Sequence, residues 1–126
     1  MVPKELRYTK DHEWVRLEDG RARVGITDHA QKSLGDIVFV ELPAVGKTVN
    51  KGERVASVES VKAVGEVFAP LSGQVVAVNQ AVVTSPDLIN KDPYGQGWLF
   101  LLEINDTKEI ELLLTAEAYE EFLKGG

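Results

Sequence analysis

Apolar and polar residues alternate from His12 to Leu17 and again from Arg21 to Ile26, where Ala22, Val24 and Ile26 are set against Arg21 and Arg23. A period of two turns one side of a strand to a core and the other to water. Asp19-Gly20 between the runs suits the positive φ angles of a tight turn, so the pattern predicts a β-hairpin. The next stretch, Thr27 to Leu34, opens on Thr27-Asp28, either of which can cap a helix, and stops at Gly35. That arrangement predicts one short helix.

From Gly35 the chain turns β-rich and repeats itself. Gly35-Asp36-Ile37-Val38-Phe39-Val40 and Gly73-Gln74-Val75-Val76-Ala77-Val78 share glycine, polar, β-branched, valine, any residue, valine. Gly46, Gly52, Gly65 and Pro70 punctuate strands too short for a large open sheet, which favours a closed or sandwiched small barrel. Between the two copies lies Glu59-Ser60-Val61-Lys62-Ala63, with strands expected over Arg54 to Glu59 and Gly65 to Ala69. A lysine on such a turn is held in solvent by a rigid frame and reads as an attachment point for covalent modification. Asn90 to Gly97 is a turn-rich loop, and the apolar run Trp98 to Leu102 is a core strand. Asp106-Thr107-Lys108-Glu109 has capping-box spacing before Ile110, Leu112 and Leu113. Thr115 caps a second helix with Tyr119, Phe122 and Leu123 on one face, and Gly125-Gly126 should fray.

Composition narrows the partners. A chain of 126 residues, 44% of them hydrophobic, fits one domain over 1–126, with a β core at about 35–104 and a helical segment at about 106–124. The net charge of −6 leaves no basic stripe for phosphates, so proteins and small molecules are expected as partners and nucleic acid is not. No apolar run is long enough for a bilayer and the first residues lack a signal-type stretch. The expected compartment is the cytoplasm, or the mitochondrial matrix where a transit peptide has been removed. Cysteine is absent, so disulfides and thiolate metal sites are ruled out. His12 and His29 lack a matched ligand set and read as residues making local hydrogen bonds, so no metal is expected. Trp14, Tyr94 and Trp98 read as packing residues.

The segment Val58 to Gly65, with its flanking glycines and Pro70, resembles the lipoyl-lysine hairpin, and Glu-Ser-Val-Lys-Ala resembles that of the H proteins of the glycine cleavage system. Further motifs follow the family's order: His12-Glu13-Trp14, Gly25 to Gln31, Val38 to Pro43, Leu88-Ile89-Asn90, Pro93-Tyr94 and Gly97-Trp98. The resemblance covers nearly the whole chain. It implies a mainly β fold, the flattened lipoyl/biotinyl-type barrel (a barrel-sandwich hybrid), with an N-terminal hairpin, a short helix and C-terminal helices. It implies lipoate joined covalently to Lys62 and a carrier without a complete reaction of its own. An aminomethyl group would pass from a pyridoxal-phosphate glycine decarboxylase to a tetrahydrofolate-dependent aminomethyltransferase, and electrons to dihydrolipoyl dehydrogenase. A monomer that meets each partner transiently is expected. Glu59 is the candidate for recognition by the lipoylating enzyme. The positions matching the polar lining of the family's cleft for the loaded arm are Glu13, Asp11 and Glu66. Asp11 stands where serine is common in the family, and Ser33 where some members have histidine.

Other readings have identifiable weaknesses. A biotinyl domain usually has methionines beside its lysine, where this chain has Val61 and Ala63. The lipoyl domain of a 2-oxoacid dehydrogenase complex is the nearer alternative, but it usually has aspartate before the lysine and lacks the N-terminal hairpin and C-terminal helices. An enzyme using Lys62 as a nucleophile needs a desolvated pocket, the opposite of an exposed turn.

Overall fold

The computed structural model describes residues 2–125. The chain opens with β1 (Arg7–Tyr8), β2 (Glu13–Glu18), β3 (Arg21–Ile26) and α1 (Asp28–Leu34). Then come β4 (Ile37–Glu41), β5 (Thr48–Val49), β6 (Arg54–Ser60), β7 (Val64–Phe68) and β8 (Gly73–Val78). Two short helices, α2 (Gln80–Thr84) and α3 (Leu88–Lys91), lead to β9 (Phe100–Ile104), a 3₁₀ helix over Thr107–Leu112, and α4 (Ala116–Gly125). The strands form two antiparallel sheets, one ordered β1-β2-β3-β9-β8-β5 and the other β4-β6-β7. One apolar cluster lies between them. Val24, Val49, Val75, Phe100 and Leu102 come from the larger sheet and Ile37, Val40, Val55, Val58 and Val67 from the smaller. The architecture is that of a flattened barrel-sandwich whose sheets do not close on each other.

The β2–β3 hairpin turns at Asp19 (φ 48°) and Gly20 (φ 79°), the left-handed pair its sequence requires. Thr27 caps α1 by accepting the Ala30 N–H. The two copies of the repeat become β4 and β8 and fall in opposite sheets. Each is bulged at the same point of the repeat: β4 shifts register against β6 between Ile37 and Phe39, and β8 against β9 between Val75 and Ala77. A bulge adds a residue to one strand and sharpens its bend, so both copies bend at equivalent places.

Several elements differ from the sequence reading. Asn90 and Lys91 belong to α3 rather than to a loop, and α2 has no counterpart in that reading. The capping-box segment is a 3₁₀ helix: Asp106 does cap it, but the Glu109 carboxylate turns away to accept the N–H (2.7 Å) and hydroxyl (2.9 Å) of Ser72. Thr115 caps α4 by accepting the Ala118 N–H. Of the two glycines expected to fray, Gly125 ends α4 and Gly126 lies outside the described residues. Tyr119 anchors α4 in a second apolar cluster with Val2, Leu6, Tyr8, Trp14 and Ala116.

Candidate functional site: the lysine hairpin and the Glu13 corner

Strands β6 and β7 run to a turn at Val61-Lys62-Ala63, and Ser60 ties that turn shut. Its N–H and hydroxyl both donate to the Ala63 carbonyl (2.7 and 3.1 Å), and its oxygen accepts the N–H groups of Ala63 (3.0 Å) and Lys62 (3.3 Å). The Val61 N–H donates to the Asp36 carbonyl at 3.1 Å, fastening the tip to the segment before β4. A short polar side chain that closes its own turn is what favours serine there. The backbone is thus held while the Lys62 side chain is exposed, with no ion-pair partner among the described residues. Val61 is 76% exposed and Val64 62%, an apolar collar around the amine. No desolvating pocket surrounds it.

Strand register sorts the neighbouring candidates. Phe39, Glu59 and Val64 form one row across the smaller sheet, all exposed, so Glu59 stands on the outer face beside the tip. Two rows on, past Val40, Val58 and Gly65, come Glu41, Ser57 and Glu66. Arg54 joins its ends, with Nε 2.7 Å from Glu66 and an Nη 3.8 Å from Glu41. Glu66 is therefore engaged on the outer face and does not meet Glu13.

Glu13 lies at the start of β2 and is only 1% exposed. Its Oε1 accepts the Thr9 hydroxyl at 2.6 Å and its Oε2 the Phe68 N–H at 3.0 Å. Burial pushes the carboxyl up to about 7, against the pull of those two hydrogen bonds. Thr9 knots the corner, since its oxygen also accepts the N–H groups of Asp11 and Glu13 at 3.2 Å each. Asp11 is exposed and lines a 250 Å³ concavity with Thr9, Lys10, Lys51 and Leu112–Leu114. Glu13 and Asp11 thus share Thr9. Phe68 is four residues along β7 from Val64, about 13 Å at the strand rise of some 3.3 Å per residue.

Thr9 was not among the residues singled out from sequence, and nothing in its local pattern marks it; its role depends on the sharp bend at His12 (φ 68°). Asn90, read as a loop residue, donates through its amide nitrogen to Gln31 Oε1 and the Gly35 carbonyl. Its amide oxygen accepts the Ile37 N–H, locking α3 to the start of β4. Tyr119, read as an apolar face, places its hydroxyl 2.7 Å from His12 Nδ1 and 2.9 Å from Thr27 Oγ1. The His12 and His29 rings lie 4.6 Å apart with their planes tilted by 32°.

Known proteins resemble this chain over nearly its whole length. A family model for the glycine cleavage H-protein matches residues 6–126. The glycine cleavage system H protein of Thermotoga maritima is 60% identical over 119 residues, which are 94% of this chain and 96% of that one. That of Cronobacter sakazakii is 56% identical over 124 residues, 98% of this chain and 96% of the relative. The crystal structure of a glycine cleavage system H protein from Mycobacterium marinum superimposes with a TM-score of 0.87 at 44% identity, covering 99% of this chain and all of the other. By its hairpin, its two-sheet sandwich and these matches, the chain belongs to the glycine cleavage H-protein family.

Proposed function

We propose that this chain is the lipoyl carrier of a glycine cleavage system, with the lipoyl group on Lys62. The observation that carries the reading is an exposed amine on a turn whose backbone is tied by Ser60 and by Asp36. A lipoyl group joined there supplies a cyclic disulfide able to take up an aminomethyl cargo and two electrons, while its amide link removes the lysine's charge. The chain suits such a group, because without cysteine it has no thiolate to trap the disulfide. A family match from residue 6 to 126 takes in the N-terminal hairpin and α4, which favours this role over that of a 2-oxoacid dehydrogenase lipoyl domain.

The chain itself presents, shelters and releases. Glu59, beside the tip on the outer face, is the residue for the lipoylating enzyme to read. Glu13 is the residue for the cargo's ammonium: each carboxylate oxygen keeps a lone pair beyond its present hydrogen bond, and its enclosure makes charge attraction stronger than in bulk water. Asp11 adjoins it through Thr9, whereas Glu66, two residues before Phe68 on β7, is held by Arg54 on the outer face. The partners are the pyridoxal-phosphate glycine decarboxylase, the tetrahydrofolate-dependent aminomethyltransferase and dihydrolipoyl dehydrogenase, which supply the catalysis. Intact-mass measurement with peptide mapping, after expression with lipoate, tests the assignment. One lipoyl group is expected on wild type, at Lys62, and none on Lys62→Arg; a lipoylated Lys62→Arg protein overturns it.

A further inference from the structure

His12, directly before Glu13, adopts φ 68°, in the left-handed region that a residue with a Cβ enters only at a cost. Its ring is tethered from the far end of the chain. Nδ1 lies 2.7 Å from the Tyr119 hydroxyl, which is also 2.9 Å from Thr27 Oγ1. Thr27 Oγ1 also accepts the Ala30 N–H as the cap of α1, so the Tyr119 hydroxyl links the His12 ring to the start of that helix. Burial, and then the neighbouring His29, lower the His12 pKa and favour its neutral ring. The tyrosine is rigid: fully buried, its ring stacks on Tyr8 at 4.7 Å with planes 7° apart. Backbone bonds hold the same corner, His12 N–H to the Thr9 carbonyl and Thr27 N–H to the His12 carbonyl.

We propose that Tyr119 of α4 is a positioning residue for Glu13: by bonding His12 Nδ1 it holds His12 in the left-handed conformation that carries the next carboxylate to the Phe68 N–H. The positioning stands on geometry alone; its consequence for the carried cargo rests on the reading of Glu13 given above.

Tyr119→Phe keeps the ring and its stack and deletes only the hydroxyl. Hydrogen exchange at two adjacent amides then separates positioning from general weakening. The Phe68 N–H bonds Glu13, whereas the Ala69 N–H bonds the Glu53 carbonyl across the β6–β7 side. In Tyr119→Phe, Phe68 should exchange roughly fivefold faster, the equivalent of about 1 kcal/mol for one lost hydrogen bond, with Ala69 unchanged. Glycine adopts positive φ freely, so adding His12→Gly to Tyr119→Phe should return Phe68 to the wild-type rate, and His12→Gly alone should leave it there. Water's release of the cargo carbon as formaldehyde from the loaded protein should follow the same pattern. Equal Phe68 exchange in wild type and Tyr119→Phe overturns the proposal, as does acceleration of both amides without rescue by His12→Gly. Faster Phe68 exchange with unchanged release overturns the functional link if Glu13→Gln does raise release. If Glu13→Gln leaves release unchanged, the reading of Glu13 fails while the exchange result still supports the positioning.

Discussion

Glu13 is placed under two opposed demands. Enclosure favours its neutral form, while the Thr9 hydroxyl and the Phe68 N–H favour the anion, and enclosure wins, moving the group from 4.5 to about 7. Between those values the folded chain holds a proton that the unfolded chain has given up. The resulting stability is fully present below about pH 4.5 and is lost as pH rises through about 7, a span of about 3 kcal/mol. Urea midpoints of wild type against Glu13→Gln should therefore diverge over that window, wild type losing stability relative to the variant as pH rises. On the role proposed for Glu13, cargo retention should have the opposite sign, because only the anion attracts an ammonium. Above pH 7, Glu13→Gln should release formaldehyde roughly five- to a hundredfold faster than wild type, for a charge-assisted bond of about 1–3 kcal/mol. Below about pH 6 the two rates should converge. The exposed turn that carries Lys62 was legible in sequence because strand patterns flank it. Thr9 was not, since the bend that brings its hydroxyl to Glu13 is a property of the His12 backbone, which no spacing of side chains reports.

Elements were legible where a cap or a turn pair bounds them, as with Asp19-Gly20 and Thr27. They were illegible where they are too brief for periodicity: α2 has five residues and α3 four, little more than a turn each. Capping-box spacing located the start of the 3₁₀ helix, but the tighter winding freed Glu109 for Ser72. The lysine hairpin has a direct test at this scale. Inserting residues between Val61 and Ala63 breaks the Ser60 ties without touching the core, so circular dichroism should stay native while intact mass shows reduced lipoylation. The facing pair in β2 and β3 is less forgiving. A Cβ on Gly25 would fall 2.6 Å from Nε1 of buried Trp14, whose N–H is bonded to the Pro93 carbonyl. Gly25→Ala should cost on the order of 3 kcal/mol in a denaturant titration, with lipoylation of the residual folded protein unaffected.

Across the whole molecule the rings are unevenly distributed. The core between the sheets is aliphatic apart from Phe100, while both tryptophans and all three tyrosines belong to or pack on the cluster that docks α4. Tryptophan fluorescence therefore reports α4 docking and far-UV circular dichroism reports the sheets. Because β2 carries Val15 into one cluster and Trp14 into the other, the two signals should lose structure at one midpoint on heating; an earlier fluorescence transition would show that α4 departs first. The repeat was visible in sequence, but its placement in opposite sheets was not, since similar strands carry no mark of which partners they will pair with. Finally, β7 is an outermost strand of the smaller sheet, and an unpaired strand edge is a template on which another molecule can build. Glu13 occupies the Phe68 N–H on that strand, denying a stranger one rung of the ladder. The same carboxylate is thus a guard against self-association, and concentrated Glu13→Ala should scatter more light than wild type at equal fraction folded.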